Sequence, residues 1–167
     1  MITTSDETDV RHEVLKLYGN RLRVRVCGLH RVGDQLLMVR HRGVGQTDTF
    51  WAPPGGGLNF GETAPIGLAR EFIEETGLIV EINELLFVSE FWQPPLHALE
   101  LFFDVTATGG TLRQGVDPEM SLDGQSIEEV RLMTFAEIRQ YPPQEVHALF
   151  GWCQSLDEVF RLRGYLS

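Results

Sequence analysis

The chain has few cysteines, no long apolar run and fewer basic than acidic residues. Cys27 and Cys153 are the only two cysteines among 167 residues, too few for a disulfide framework or a zinc cluster. No apolar stretch approaches the roughly 20 residues that span a membrane. The formal net charge of −10 repels polyanions, which argues against non-specific binding to nucleic acid or to an anionic membrane surface. A small phosphate-bearing molecule remains compatible with this charge if a cation intervenes.

The first ten residues carry three acidic side chains and no basic one, so no secretory or mitochondrial signal is predicted. With so few cysteines, this composition predicts a reduced, cytoplasmic protein. Hydrophobic residues make up 43% of the chain, which is enough for one core. We therefore expect a single domain over residues 1–167, with the polar residues 1–20 loosely ordered.

Strand and helix patterns alternate irregularly along the chain. Leu22, Val24 and Val26 alternate with arginines, which predicts a strand that buries its apolar face and turns Arg23 and Arg25 outward. Gly33-Asp34 predicts a turn into a second strand. Further strands are expected at 49–52, 78–88, 98–106 and 130–135, and helices at 64–76, 134–140 and 144–163. This mixture predicts an α+β fold, with a mixed β-sheet sandwiched between helices.

The helix expected at 64–76 has an acidic face. At about 100° per residue, Leu68, Ala69, Phe72 and Ile73 point to the core. The opposite, exposed face carries Glu71, Glu74 and Glu75, whose spacing makes the carboxylates neighbours that repel one another. A divalent cation would turn that repulsion into attraction, and oxygen ligands of this kind suit Mg²⁺ or Mn²⁺.

The loop before this helix complements the acidic face. Three successive glycines, Gly55 to Gly57, let the backbone approach a ligand closely, and Glu62 adds a carboxylate near the helix start. An acidic face, a close backbone and a metal together indicate a phosphate-bearing substrate. They predict hydrolysis of a phosphoanhydride by water.

The same residues carry a family resemblance. Gly56, Glu62, Arg70-Glu71-Phe72, Glu74-Glu75 and Gly77-Leu78 stand at the spacing of the signature box of the Nudix hydrolases, over residues 56–78. Phe72 stands where an aliphatic residue is more usual. The chain thus resembles a Nudix, MutT-like pyrophosphohydrolase. The resemblance implies a mixed sheet between helices, Mg²⁺ or Mn²⁺, and a nucleoside diphosphate linked to another group as substrate.

The resemblance also implies roles for individual residues. Glu71 and Glu75 become metal ligands, and the Gly55 carbonyl joins the metal shell. Glu74 becomes a further ligand or the proton acceptor, oriented by Arg70. Glu128 and Glu129, just before the last strand, are the candidates for a general base. Candidates for contact with the substrate are Arg40, Gly56, Gly57 and Glu62. Glu62 is also expected in the outer metal shell.

Substrate and partners stay open. Pro94 lies 16 residues after Leu78, as a proline often does in ADP-ribose-type members, but a nucleoside triphosphate is equally compatible with the sequence. No contact with nucleic acid or membrane is expected, and the chain is a monomer or a homodimer. A non-catalytic nucleotide-binding or regulatory domain is the alternative to an enzyme. All box glutamates are present, which favours the enzyme.

Overall fold

The computed structural model describes residues 4–122 and 124–167. Two short 3₁₀ turns, at Pro143–Glu145 and Ala148–Gly151, precede the last helix. The elements are α1 (Thr4–Tyr18), β1 (Arg21–Val32), β2 (Gln35–Arg42), β3 (Thr49–Ala52), β4 (Gly55–Gly57), α2 (Ala64–Thr76), β5 (Leu78–Gln93), β6 (Leu96–Gly110), β7 (Ile127–Thr134), α3 (Phe135–Ile138), α4 (Leu156–Val159) and β8 (Gly164–Leu166).

The strands form a mixed sheet in the order β3-β2-β1-β6-β5-β8, with β4 added to β1 and β7 to β2. Strand β1 is central, because it pairs in parallel with β6 and antiparallel with β4 and β2. The α+β fold class expected from the sequence is confirmed. No helix in the described part of the chain is long and apolar enough to cross a membrane.

Helix α2 lies against the sheet through its apolar residues. Leu68 and Phe72 are fully buried with Val26 and Val105. The helix ends at Gly77, which has φ 72° and closes the last turn through an N–H bond to Ile73. The predicted bounds of this helix are confirmed. One prediction about its faces is wrong, since Ile73 is exposed on the side that the sheet does not cover.

The expectation of a loosely ordered N-terminus is wrong for residues 4–18, which form helix α1. Val10 and Val14 are buried against Met120 in a small core of their own. The packing of these two valines explains a helix in a segment that is otherwise polar. Residues 1–3 of the same expectation lie outside the described residues.

The long amphipathic helix predicted over residues 144–163 is also wrong. The segment forms two 3₁₀ turns and the short helix α4 instead. His147 and Ser155 each accept a hydrogen bond from a backbone N–H two or three residues later, and these local bonds begin new turns. The apolar residues are still buried, since Leu149, Phe150 and Val159 pack into the main core.

Candidate active site

A cleft of about 270 Å³ opens between the face of β1 and β6 and the C-terminal half of α2. This volume is close to the lower end of small-molecule sites, about 300 Å³. Gly55, Gly56 and Gly57 form one wall, and all three predicted acidic residues of α2 line it. A methyl group on Gly56 would lie 2.4 Å from the Glu71 carboxylate, so glycine is needed for this close approach.

Arg70 ties four features of the signature box together. Its Nε and Nη2 donate to the two oxygens of Glu62 at 2.9 and 2.8 Å. Its Nη1 donates to Glu71 and Glu74 at 2.8 and 3.1 Å, and Nη2 also reaches the Gly57 carbonyl. The hydrogen bonds from Arg70 lower the pKa of Glu62 to about 2. Arg70 therefore orients the acidic face and the glycine loop as one unit.

Replacing Arg70 with lysine is expected to lower the free energy of unfolding by about 2 kcal/mol, because one ammonium cannot reproduce the forked bonds. The rate kcat should fall about 10- to 100-fold, as is typical when a group that orients metal ligands is lost. Urea unfolding and steady-state kinetics measure the two effects. Arg161→Lys, at an exposed position, is the control. Unchanged stability and kcat in Arg70→Lys would show that the guanidinium bonds to Glu62, Glu71 and Glu74 do not fix the geometry of the site.

The Glu71 and Glu75 carboxylates are more buried than the sequence suggests. The side chain of Glu71 is 12% exposed and Glu75 is 5% exposed. The Gly55 N–H donates to Glu75 Oε2 at 2.9 Å. Burial raises the pKa of Glu71 to about 7, although Arg70 opposes the shift. Burial and the charge of Glu71 also raise the pKa of Glu75. The expectation that Glu75 is exposed is therefore wrong.

The raised pKa of Glu71 predicts a pH-dependent stability in the metal-free protein. The folded protein binds the Glu71 proton more tightly than the unfolded chain, whose carboxyl has an ordinary pKa near 4.5. The resulting stabilisation is complete below pH 4.5 and is lost as the pH rises to about 7. We expect Glu71→Gln, which cannot ionise, to gain up to about 3 kcal/mol over the unmodified protein between pH 4.5 and 8.

Urea unfolding in the presence of a chelator, at pH 4.5, 6 and 8, measures this difference. Glu81→Gln, at an exposed position on β5, is the matched control and should follow the unmodified protein. Parallel pH profiles for Glu71→Gln and the unmodified protein would contradict the assignment.

The predicted burial of the apolar face of β1 is confirmed at Val26 and wrong at Leu22 and Val24, and the predicted outward direction of Arg23 and Arg25 is wrong. Arg23 and Arg25 line the cleft, whereas Leu22 and Val24 are 60% and 42% exposed. Arg25 Nη2 donates to the Gly55 carbonyl at 3.4 Å. The Arg23 guanidinium lies 3.9 Å from the centre of the Tyr18 ring. Burial, and then repulsion by Arg25, lowers the pKa of Arg23 to about 10. Both cations face the acidic wall.

The loop after β6 closes one side of the cleft. Its backbone is fixed to the end of α2, where Gly115 and Val116 donate to the carbonyls of Glu75 and Glu74. Asp117 and Glu119 of this loop accept hydrogen bonds from the Tyr18 hydroxyl at 3.3 and 3.0 Å. Helix α1 thereby contributes to the cleft wall, which the sequence did not indicate.

Four predicted site residues do not reach the cleft. Glu62 is held by Arg70 and is not among the described residues that line the cleft. Arg40 forms ion pairs with Glu128 at 3.2 Å and Glu129 at 3.8 Å, and none of the three is among the described residues that line it. Adjacent residues of a strand face opposite sides, and it is His41 that lines the cleft. Burial, with Arg25 nearby, lowers the pKa of His41 to about 3.

The sequence did not indicate a buried pair in the cleft, formed by Glu100 and His147. Glu100 and His147 are each 3% exposed, and their Oε2 and Nε2 atoms are 2.5 Å apart. Glu100 Oε1 lies 3.9 Å from Arg25 Nε. The Phe50 ring centre lies 6.3 Å from that of His147 and 6.2 Å from that of Phe91. A single charged residue inside the apolar run of β6 was the available signal for Glu100. His147 was assigned to a helix that does not form.

Comparison with known proteins identifies the family of the chain. Residues 19–150 match the NUDIX domain family, so the chain belongs to the Nudix family, and the resemblance in residues 56–78 is confirmed. An ADP-ribose pyrophosphatase from Methanocaldococcus jannaschii is 33% identical over 96 residues, which make up 56% of each chain. The chain thus matches about half the length of this curated relative.

Solved structures show the same fold. A NUDIX hydrolase from Nitrosomonas europaea superposes with a TM-score of 0.66 at 20% identity, over 84% of this chain and 88% of that one. A MutT NUDIX hydrolase from Burkholderia pseudomallei superposes with a TM-score of 0.61 at 22% identity, over 77% of this chain and 92% of that one.

Proposed function

We propose that the protein hydrolyses the pyrophosphate linkage of a nucleoside diphosphate joined to a second group, using Mg²⁺ or Mn²⁺. One observation carries this proposal: the cleft places three box glutamates opposite Arg23 and Arg25. Glutamates alone would repel a diphosphate, and arginines alone would bind it without activating water. The two walls together suit a metal-dependent reaction at a phosphoanhydride.

The donor set fits a hard divalent cation. Glu71, Glu75 and the Gly55 carbonyl offer only oxygen atoms, which suit Mg²⁺ or Mn²⁺. Within residues 4–122 and 124–167, no three acidic, histidine or cysteine side chains are grouped as metal ligands, and Arg70 Nη1 lies between Glu71 and Glu74. Two buried carboxylates with raised pKa values gain most from a nearby cation, which supports these residues as its ligands.

Each residue then has one task. Glu71, Glu75 and the Gly55 carbonyl would hold the cation, which would lower the pKa of a bound water and neutralise phosphate charge. Glu74 is the most exposed of the three glutamates, with 25% of its side chain accessible, and it would accept a proton from the attacking water. The water oxygen forms a bond to phosphorus, and the anhydride P–O bond breaks with its electrons leaving on the second phosphate. Arg25 and Arg23 would bind the phosphate oxygens.

A diphosphate-bridged substrate of the ADP-ribose type is proposed over a nucleoside triphosphate. The curated relative that carries that name supports this choice. Pro94 does not, because it lies in the β5–β6 turn, outside the residues that line the cleft. Cytoplasmic location and the absence of nucleic-acid and membrane partners stay predictions from the sequence, as does the choice between monomer and homodimer.

A substrate panel with product identification tests the proposal. We expect ADP-ribose with Mg²⁺ to yield two monophosphates, AMP and ribose phosphate. Release of pyrophosphate from nucleoside triphosphates alone would overturn the proposed substrate class. Binding without hydrolysis of any panel member would overturn the catalytic proposal and favour a binding or regulatory domain.

A further inference from the structure

The far end of the cleft differs chemically from the end at the glutamates. Phe50 and Phe91 supply apolar ring surfaces there. The buried Glu100 carboxylate also lines the cleft, and its partner His147 has its ring centre 6.3 Å from that of Phe50. Phosphate groups would be repelled by this carboxylate, so this end suits an uncharged, flat part of a ligand.

The two oxygens of Glu100 have different surroundings. His147 Nδ1 accepts the Leu149 N–H at 3.2 Å, so the ring proton is on Nε2, which donates to Glu100 Oε2. Oε1 accepts no hydrogen bond from the described residues and has only the ion pair with Arg25 at 3.9 Å. Burial alone would raise the pKa of Glu100, but His147 and Arg25 outweigh it and hold the pKa below its usual range. Oε1 is therefore an anionic oxygen that can accept a hydrogen bond from a ligand.

We propose that Phe50 and Phe91 hold a planar nitrogen-containing ring, and that Glu100 Oε1 selects a ring with an N–H donor on its edge, as in an aminopurine base. The proposal rests on the proposed function for the phosphate end of the same ligand. His147 is a positioning residue, because it fixes Oε2 and leaves Oε1 for the ligand. A buried acceptor left unmatched costs more free energy than a matched one gains, so rings without a donor are rejected.

The test compares ADP-ribose with the same molecule carrying an unsubstituted purine ring, which lacks the amino group. We expect KM to be about tenfold lower for ADP-ribose, with similar kcat. Glu100→Gln keeps the size of the side chain. Its amide oxygen takes the His147 bond, so its NH₂ group faces the ligand and replaces an acceptor with a donor. The preference for the amino ring should then disappear or reverse in the folded variant.

Two further variants separate this role from a general loss of structure. Glu90→Gln alters a similar Glu–His pair, with Glu90 Oε1 2.6 Å from His97 Nε2, at a residue that does not line the cleft. It should keep the preference. Phe91→Leu should raise KM for both rings by a similar factor, because stacking does not depend on the amino group. An unchanged ring preference in folded Glu100→Gln, or no preference in the unmodified protein, would overturn the proposal.

Metal-free calorimetry keeps the test independent of hydrolysis. AMP should bind the unmodified protein about tenfold more tightly than purine riboside monophosphate, and Glu100→Gln should remove the difference. This result with no turnover would contradict only the proposed catalytic function. Turnover with equal affinity for the two monophosphates would contradict only the ring selection.

Discussion

Glu75→Gln is expected to lower kcat about a thousandfold while the fold is retained. The carboxylate lies at the point where the Gly55 backbone meets α2, and its charge is what a divalent cation would require there. Glutamine keeps an oxygen for the Gly55 N–H but removes the charge. A thousandfold loss corresponds to about 4 kcal/mol of transition-state stabilisation.

Because Glu75 is buried, Glu75→Gln should not lower the stability of the metal-free protein. Because burial and the charge of Glu71 raise the pKa of Glu75, the ionised side chain destabilises the metal-free fold at neutral pH. Metal-free Glu75→Gln should therefore unfold at the same or a higher urea concentration at pH 7. Kinetics with excess Mg²⁺, circular dichroism and urea unfolding measure these outcomes, with Glu81→Gln as the control. Near-normal kcat in the folded variant would exclude Glu75 as a ligand.

Arg25→Gln is expected to raise KM at least about thirtyfold and to lower kcat as well. Its guanidinium lies between the Gly55 carbonyl and Glu100, in the middle of the cleft. Without it, the arginines left in the described lining of the cleft are Arg23 and Arg70, and Arg70 is already paired with Glu62, Glu71 and Glu74. Charge-assisted bonds from arginine to phosphate are about twice as strong as neutral ones, which explains the size of the effect.

Arg21→Gln is the matched control, because Arg21 lies on the same strand and is exposed outside the cleft-lining set. Steady-state kinetics on both variants measure the difference. Equal KM values for the two variants would show that Arg25 stabilises the strand rather than the substrate.

The acidic helix was predictable because its determinants are local. The spacing of Glu71, Glu74 and Glu75 follows from helical geometry, and Gly77 ends the helix through its own backbone conformation. The family resemblance rests on the same continuous stretch of sequence. Its fold and family implications are confirmed by the sheet and by the comparisons.

The faces of β1 were not predictable from alternation. Alternation distinguishes two sides of a strand but does not say which one meets a core and which one a polar cleft. Here Arg25 meets the Gly55 carbonyl and the Glu100 carboxylate, and Arg23 meets the Tyr18 ring, so the arginine side faces the cleft. Leu22 and Val24 remain exposed.

Long-range contacts also explain the C-terminal segment and the missed pair. Val146, Leu149 and Phe150 are buried without a regular helix, because the short turns at 143–151 place them on the main core. Glu100 and His147 are 47 residues apart in the chain and meet only in the folded sheet. Their pairing could therefore not be predicted from their spacing in the sequence.

Manganese binding tests the central claim most directly. Electron paramagnetic resonance of Mn²⁺ titrated into the protein counts bound ions without requiring turnover or a known substrate. We expect Mn²⁺ to bind the unmodified protein and Glu81→Gln alike, and to bind Glu75→Gln at least tenfold more weakly. Equal Mn²⁺ affinity in all three proteins would contradict the assignment of the α2 carboxylates as the metal site.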